Sequence, residues 1–302
     1  MKSLKKYLYA YLSDKFMDGC SNYNSLEVRR SCRSKEQARA MFEQHNFPHA
    51  KGDIFYSPFK AINFAKEHGF PLVVKPNVSG YSRGSHFPIN NMKELWKAAL
   101  MVKIWWPSSV IEQYLLGSNY RVLATENELV SVIRRYPPFI DGDGQQTIGQ
   151  LIDEENAIRK SMNLHPVIFP IKKSAAIASY LKKQGLDFDS VPGKDERVHL
   201  FNRVALSPGG VIETIDMETV HPENAALFKE VVKRFNATVL GIDVIFENGI
   251  ESSLESQRCI MLEVNSRPYM KMHDVPRYGE KPDLKAFYAN MEQLDVADAD
   301  TF

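Results

Sequence analysis

Two carboxylates and an amide near the end of the chain carry its clearest chemical signal. Asp243 sits inside the apolar run Val239-Leu240-Gly241-Ile242-Asp243-Val244-Ile245-Phe246, where an unpartnered carboxylate is costly to bury. Glu263 and Asn265 stand two apart in Met261-Leu262-Glu263-Val264-Asn265. On a strand both would point to one face while Leu262 and Val264 point to the other. Three oxygen donors, two of them charged, suit Mg²⁺ that is also held by substrate phosphates; acidic residues facing solvent or a basic partner would leave the same pattern. Lys75 closes the apolar run Leu72-Val73-Val74 and precedes Pro76-Asn77-Val78-Ser79-Gly80-Tyr81-Ser82-Arg83-Gly84-Ser85. Small residues let backbone amides approach phosphate oxygens, and a lysine adds a point charge. The segment is not a Walker A loop, which requires GxxxxGK[ST], and taken alone it reads more readily as a plain surface loop than as a phosphate site. Basic residues recur at Arg121, Arg134, Arg135, Arg203, Arg267 and Lys271; scattered basic residues are usually solvated, but several of these lie at predicted strand ends, where they could hold phosphoryl oxygens.

These groups need a mixed framework to position them. Ser34-Lys35-Glu36-Gln37 has the form of a capping box, and Ala38, Met41 and Phe42 continue at helical spacing. A helix around Ile62–Lys66 is expected to end at Gly69, ahead of the strand that ends on Lys75. Leu95, Trp96, Ala99, Leu100 and Val102 predict another helix, and Ser109 to Leu115 a strand closed by Gly117. Tyr120 to Thr125 and Glu128 to Arg135 read as a hairpin turning at Glu126-Asn127. Pro137 to Gly144 reads as a loop; Thr147 and Ser174 are expected to cap helices reaching Asn156 and Gln184. Pro222-Glu223 opens a helix, and two strands follow near 238–246 and 259–264. Such alternation is that of an α/β protein.

Composition narrows the class. The 302 residues carry 38 Lys and Arg against 37 Asp and Glu, so the formal charge is +1, which argues against a strongly basic nucleic-acid module. A hydrophobic fraction of 44% with 25% charged residues is that of a globular chain able to bury a substantial core. Three scattered cysteines, Cys20, Cys32 and Cys259, form no CxxC and argue against a disulfide framework or zinc site. No apolar run is long enough to span a bilayer, and the basic N-terminus lacks a clean hydrophobic stretch. A reducing, cytoplasmic setting is expected, with no membrane or nucleic-acid partner.

Read in order, Ser34-Lys35, Leu72-Val73-Val74-Lys75-Pro76, Ile111-Glu112-Gln113-Tyr114-Leu115, Gly241-Ile242-Asp243-Val244 and Glu263-Val264-Asn265 resemble the ATP-grasp superfamily of carboxylate–amine ligases. Further matching segments are Tyr120-Arg121-Val122-Leu123, Arg135-Tyr136-Pro137, Gly142-Asp143-Gly144 with Thr147-Ile148, Asp189-Ser190-Val191-Pro192, Ser207 with Gly209-Gly210, and His221-Pro222-Glu223-Asn224. They resemble the ATP-grasp module of cyanophycin synthetases and the glutathione-synthetase module of bifunctional glutathione enzymes. The resemblance covers approximately residues 31–280.

The resemblance implies two α/β lobes gripping ATP: a small lobe over 31–111 with the phosphate loop, and a large lobe over 112–302 with the adenine hinge and metal site, after an extension over 1–30. Lys35 and Lys75 correspond to lysines on the ATP phosphates, with Ser79, Gly80, Ser82 and Gly84 in the loop. Glu112, Gln113, Tyr114 and Leu115 correspond to the adenine hinge, and Asn119 to a ribose position. Asp243, Glu263 and Asn265 correspond to the Mg²⁺ ligands, for which Mn²⁺ is an alternative. Arg121, Arg135 and Arg267 correspond to basic positions near the transferred phosphoryl group. The implied chemistry joins an amino-acid or peptide carboxylate to an amine through an acyl phosphate, releasing ADP and phosphate. The chain departs from the pattern at Ser79 and Ser82, which replace loop glycines while Gly80 is displaced, and at Phe201, Ala205 and Asn119. Those departures also fit a degenerate module that binds nucleotide and regulates a partner without turnover. The length fits one ATP-grasp module without the further catalytic domain of such enzymes, so a dimer mate or partner subunit is expected to help bind the acceptor.

Overall fold

The computed structural model describes residues 23–32, 35–77 and 84–293. Helix α1 (Leu26–Ser31) is followed by α2 (Lys35–Gln44), whose Ala38 and Phe42 lie one turn apart and are both buried. The capping box read at Ser34 lies outside the described residues. Next come β1 (Gly52–Phe55), α3 (Pro58–His68), β2 (Leu72–Pro76), β3 (His86–Ile89), α4 (Met92–Trp105) and β4 (Ser109–Gln113). The four strands form an antiparallel sheet in the order β1-β4-β2-β3. Two side-chain caps start its covering helices. Ser57 accepts from the Phe59 amide and Pro58 occupies the first turn of α3; Asn91 Oδ1 accepts from the Glu94 amide at 3.0 Å. Leu95, Ala98, Ala99 and Val102 of α4 then meet Ile62 and Ala65 of α3 and Leu72 and Val74 of β2 in one core.

The chain continues into β5 (Ser118–Ala124), turns at 125–128 with the Thr125 amide donating to the Glu128 carbonyl, and enters β6 (Leu129–Tyr136). There follow β7 (Phe139–Asp141), α5 (Ile148–Ser161), α6 (Ala175–Lys183), β8 (Arg197–His199) and β9 (Val211–Ile215). Last come α7 (Pro222–Arg234), β10 (Leu240–Phe246), β11 (Cys259–Asn265), α8 (Lys271–Asp274) and α9 (Lys285–Gln293). By contact density the chain forms two units: Met1–Val132 with Met217–Met270 and Leu284–Phe302, and Ile133–Asp216 with Lys271–Asp283.

Besides the four-stranded sheet, the first unit holds a second one, in which β11, β10 and β5 are antiparallel neighbours and β6 begins beside β5. One face of it is apolar: Tyr120 and Val122 stand opposite Val244 and Ile242, and the Phe228 ring of α7 meets Phe246 edge-on at 6.2 Å. The other face carries the site. In the second unit β7 pairs with β8, and Ile140, Val198 and Leu200 pack with Ile148, Ile152 and Leu181 of α5 and α6. Thr147 and Gln150 form a complete capping box at α5. Strand β7 interrupts the segment read as a loop from the sequence. Three residues between Pro137-Pro138 and Gly142 show no period of their own, and their partner lies at 197–199. Arg159, buried in the same unit, donates to Glu155 at 2.7 Å and to the Phe169 and Gly209 carbonyls, while Arg277 grips Glu155 with two nitrogens.

Candidate active site

The site is a row across three strands. Register places Arg121 of β5 opposite Asp243 of β10, and Asp243 opposite Glu263 of β11. Facing residues in antiparallel strands put their side chains on one face, within contact distance. Asn265, two positions beyond Glu263, shares that face, and its Nδ2 donates to the Gly241 carbonyl and to Glu263 Oε1, each at 3.4 Å. The two carboxylates and the amide that the sequence singled out are therefore brought together.

Arg121 and Asp243 are 8% and 5% exposed. The Arg121 guanidinium lies alongside the carboxylate, Nη2 donating to Oδ2 at 3.1 Å and Nε paired with Oδ1. This is the partner a buried aspartate requires. Gly241 makes room for it, because a Cβ there would come within 2.9 Å of Arg121 Nη1. Burial alone would raise the Glu263 carboxyl, but the charges of Arg121 and Lys35 and the hydrogen bond from Asn265 outweigh it and hold it below the usual carboxylate range. Lys35 reaches this neighbourhood because α2 packs against β11. Burial pulls the Lys35 ammonium below its ordinary value; the Lys75 charge acts the same way, and Glu263 and Glu112 oppose it.

Lys75 and Glu112 form the adjacent group. Val73 of β2 stands opposite Glu112 of β4, so Lys75 is its diagonal neighbour on the same face, and their side chains form a buried ion pair. Arg39 of α2 approaches Glu112 Oε1 at 3.4 Å. Gly52 of β1 lies opposite Glu112, where a Cβ would fall 2.4 Å from Glu112 Cγ and 2.8 Å from Arg39 Nη1. Arg39 and Gly52 were not singled out from the sequence, although Arg39 lies one helical turn beyond Lys35 on the same face. Lys35, Arg39, Glu112 and Leu262 line a cleft of about 10 Å³, room for about one water. A larger groove of about 540 Å³ runs along β1 and α3 and is lined by none of the predicted site residues.

In the segment 112–115, expected from the sequence to be a hinge, the Gln113 and Tyr114 amides donate to the Lys51 and Pro71 carbonyls, the Tyr114 ring stacks on Phe87 at 5.9 Å, and Leu115 is buried against Ala50 and Ile260. Asn119 lies on β5 opposite Ile245, on the face that carries Arg121. Gly84 has φ +72°, and a Cβ on it would meet the Trp106 ring at 2.4 Å. Ser79, Gly80 and Ser82 lie outside the described residues. Arg267 follows β11 in the first unit, and Arg135 lies on β6 in the second.

The donor set fits a hard divalent cation. Asp243, Glu263 and the amide oxygen of Asn265 offer oxygen on one sheet face, without thiolate or imidazole. Among the described residues no group of three or more His, Cys, Asp or Glu side chains converges. A cation here would rest on these three side chains and complete its shell with substrate oxygens or water.

No family model matches the sequence. The chain is 31% identical over 266 residues to the cyanophycin synthetase of Synechocystis sp. (strain PCC 6803), covering 86% of this chain and 30% of that one. To the glutathione biosynthesis bifunctional protein GshAB of Listeria innocua it is 28% identical over 257 residues, 82% of this chain and 32% of the relative. It thus spans about a third of the length of the curated relatives it matches. The fold is similar to that of a bifunctional glutathione synthetase from Pasteurella multocida, with a TM-score of 0.64 and 24% identity over 89% of this chain and 37% of that one. It is also similar to a D-alanine–D-alanine ligase from Bacillus anthracis complexed with ATP, with a TM-score of 0.52 and 14% identity over 91% and 69% of the two chains. The chain thus has the fold of the ATP-grasp ligases and is similar in sequence to part of the cyanophycin synthetases.

Proposed function

We propose that this chain is an ATP- and Mg²⁺-dependent ligase that joins a carboxylate of an amino acid or peptide to an amine. The observation that supports this best is the row Arg121–Asp243–Glu263, with Asn265 beside it and Lys35 facing it. It sets oxygen ligands and cations side by side in a partly buried place, as transfer of a highly charged phosphoryl group requires. In this reading the γ-phosphoryl group passes to the substrate carboxylate, giving an acyl phosphate and ADP. The amine nitrogen then attacks the acyl carbon, phosphate leaves with the C–O bonding pair, and the nitrogen loses a proton as the amide forms. Lys35 and Lys75 hold phosphate oxygens, Lys75 exchanging Glu112 for them. Arg121 fixes Asp243 in its rotamer, and Arg267 supplies further positive charge. Asp243, Glu263 and Asn265 would hold Mg²⁺, which when bound neutralises charge on the phosphate oxygens. The small lobe is 31–111 and the large lobe 112–302, with the hinge Glu112–Leu115 against the base and Asn119 at the ribose.

The test is product analysis. Purified chain with ATP, Mg²⁺ and a pool of amino acids and peptides is expected to release ADP and phosphate, with the new amide found by mass spectrometry. AMP and pyrophosphate as products would sink the acyl-phosphate scheme. ATP binding by calorimetry with no ADP release across the pool would favour a nucleotide-binding regulator instead. Lys75→Ala is expected to lower ADP release by at least about a hundredfold while far-UV circular dichroism stays unchanged.

A further inference from the structure

The outer face of the α3–α4 pair is apolar where solvent would dictate polar residues. Tyr56 and Phe59 at the start of α3, and Leu100, Met101, Ile104 and Trp105 on α4, are between 46% and 73% exposed. Leu100 with Ile104, and Met101 with Trp105, are each one turn apart on α4, and α3 adjoins the same helix, the Phe59 ring meeting Trp96 edge-on at 5.6 Å and Tyr56 lying beside Lys103. The opposite stripe of α4, Leu95, Ala98, Ala99 and Val102, already fills the core. The last turns of helix α4 are therefore apolar on both faces, a composition that belongs to a helix covered on both sides, while exposed Lys93, Glu94 and Lys97 keep the outer face of its first turns polar.

The size of the patch indicates what covers it. A large aromatic side chain has about 150–250 Å² to bury and an aliphatic one somewhat less, so at their fractional exposures the six residues together show on the order of 700 Å², most of it apolar. That exceeds the largest patch of a typical monomer and is close to the share of about 800 Å² that each partner contributes to a standard interface. The surrounding charges are of both signs: Lys66, Lys93 and Lys97 stand with Glu67 and Glu94, while Lys60 is paired to Asp53 at 2.7 Å. A helix that lies on an anionic membrane carries a clear excess of Lys and Arg on its polar face. A surface that meets its own copy across a two-fold axis needs mixed signs, so that like charges do not face each other. We infer that the α3–α4 face is an isologous dimer interface, and that its occupant is the same face of a second copy of this chain.

Sedimentation velocity of the full chain at micromolar concentration is expected to show a species near twice the 34.5 kDa of one chain. Leu100→Glu and Ile104→Glu should each shift it to monomer, with association at least about tenfold weaker, while Met162→Glu, an exposed apolar residue of the second unit, leaves the dimer intact. Leu100→Cys should form a disulfide between copies under mild oxidation. Circular dichroism of each variant confirms folding, which these solvent-facing substitutions should not disturb. A wild-type chain that stays monomeric across that range overturns the inference, as does a dimer that both glutamate variants leave unchanged. A monomer that co-sediments with phosphatidylserine vesicles would assign the face to a membrane and overturn it equally.

Discussion

Arg121 and Asp243 show how a costly buried charge is made tolerable. Each side chain is almost wholly removed from water, and the guanidinium meets both carboxylate oxygens. Deleting one member leaves the other buried without a counter-charge, which is far worse than deleting both. Arg121→Ala should therefore lower stability by about 3–5 kcal/mol in urea titration, and adding Asp243→Asn should restore part of that loss. Glu263 supplies a pH test. Its folded carboxyl titrates below its unfolded value, so its contribution to stability is complete above the unfolded carboxylate range and disappears as pH falls through the folded value. Glu263→Gln should accordingly be less stable than wild type at pH 7. The gap between the two urea midpoints should close as pH is lowered into and below the carboxylate range, and a gap independent of pH would refute the assignment.

At the scale of elements, strand register and one helix contact assemble the site. Three antiparallel strands align Arg121, Asp243 and Glu263, and α2, packed on β11, delivers Lys35 and Arg39. Gly52 shows how closely the first sheet is fitted to this task. Its missing Cβ leaves the space where Glu112 and Arg39 approach. Gly52→Ala should cost about 1–3 kcal/mol by overpacking and should displace Glu112 from Lys75. Chemical denaturation reads the first effect, and a weaker ATP affinity by calorimetry reads the second. Helix α4 leads into Trp106, whose ring occupies the space where a Cβ on Gly84 would fall, while the last turns of the helix present exposed apolar side chains.

For the whole molecule, the lysines that would meet phosphate already face carboxylates, Lys75 pairing with Glu112 of the proposed hinge and Lys35 lying near Glu263, while Arg121 holds Asp243 beside them. Nucleotide alone would leave carboxylates facing phosphate, and Mg²⁺ alone would leave it beside ammonium and guanidinium groups. ATP and Mg²⁺ together should therefore raise the melting temperature by more than the sum of their separate effects in a thermal-shift titration; strictly additive shifts would count against the site. Among the described residues no helix is long and apolar enough to cross a membrane. Much of this was legible in the chain itself. The spacing of Glu263 and Asn265, an aspartate inside an apolar strand, and a lysine at a strand end are local patterns, and local patterns survive in one dimension. The hairpin at 120–135 and the caps at Asn91 and Thr147 were of the same kind or could have been. Strands β1, β3, β7, β8 and β9 were not read, since each is three to five residues long and is a strand only through partners distant in sequence. The sequence by itself determined which residues could do chemistry and on which strand faces they lie, because side-chain alternation follows from backbone geometry. Only the tertiary structure decided that Arg121 is the partner of Asp243, that Arg39 and Gly52 belong to the Glu112 group, and that α4 is apolar on its outer face, because register, packing and exposure are relations between segments that the order of residues does not contain.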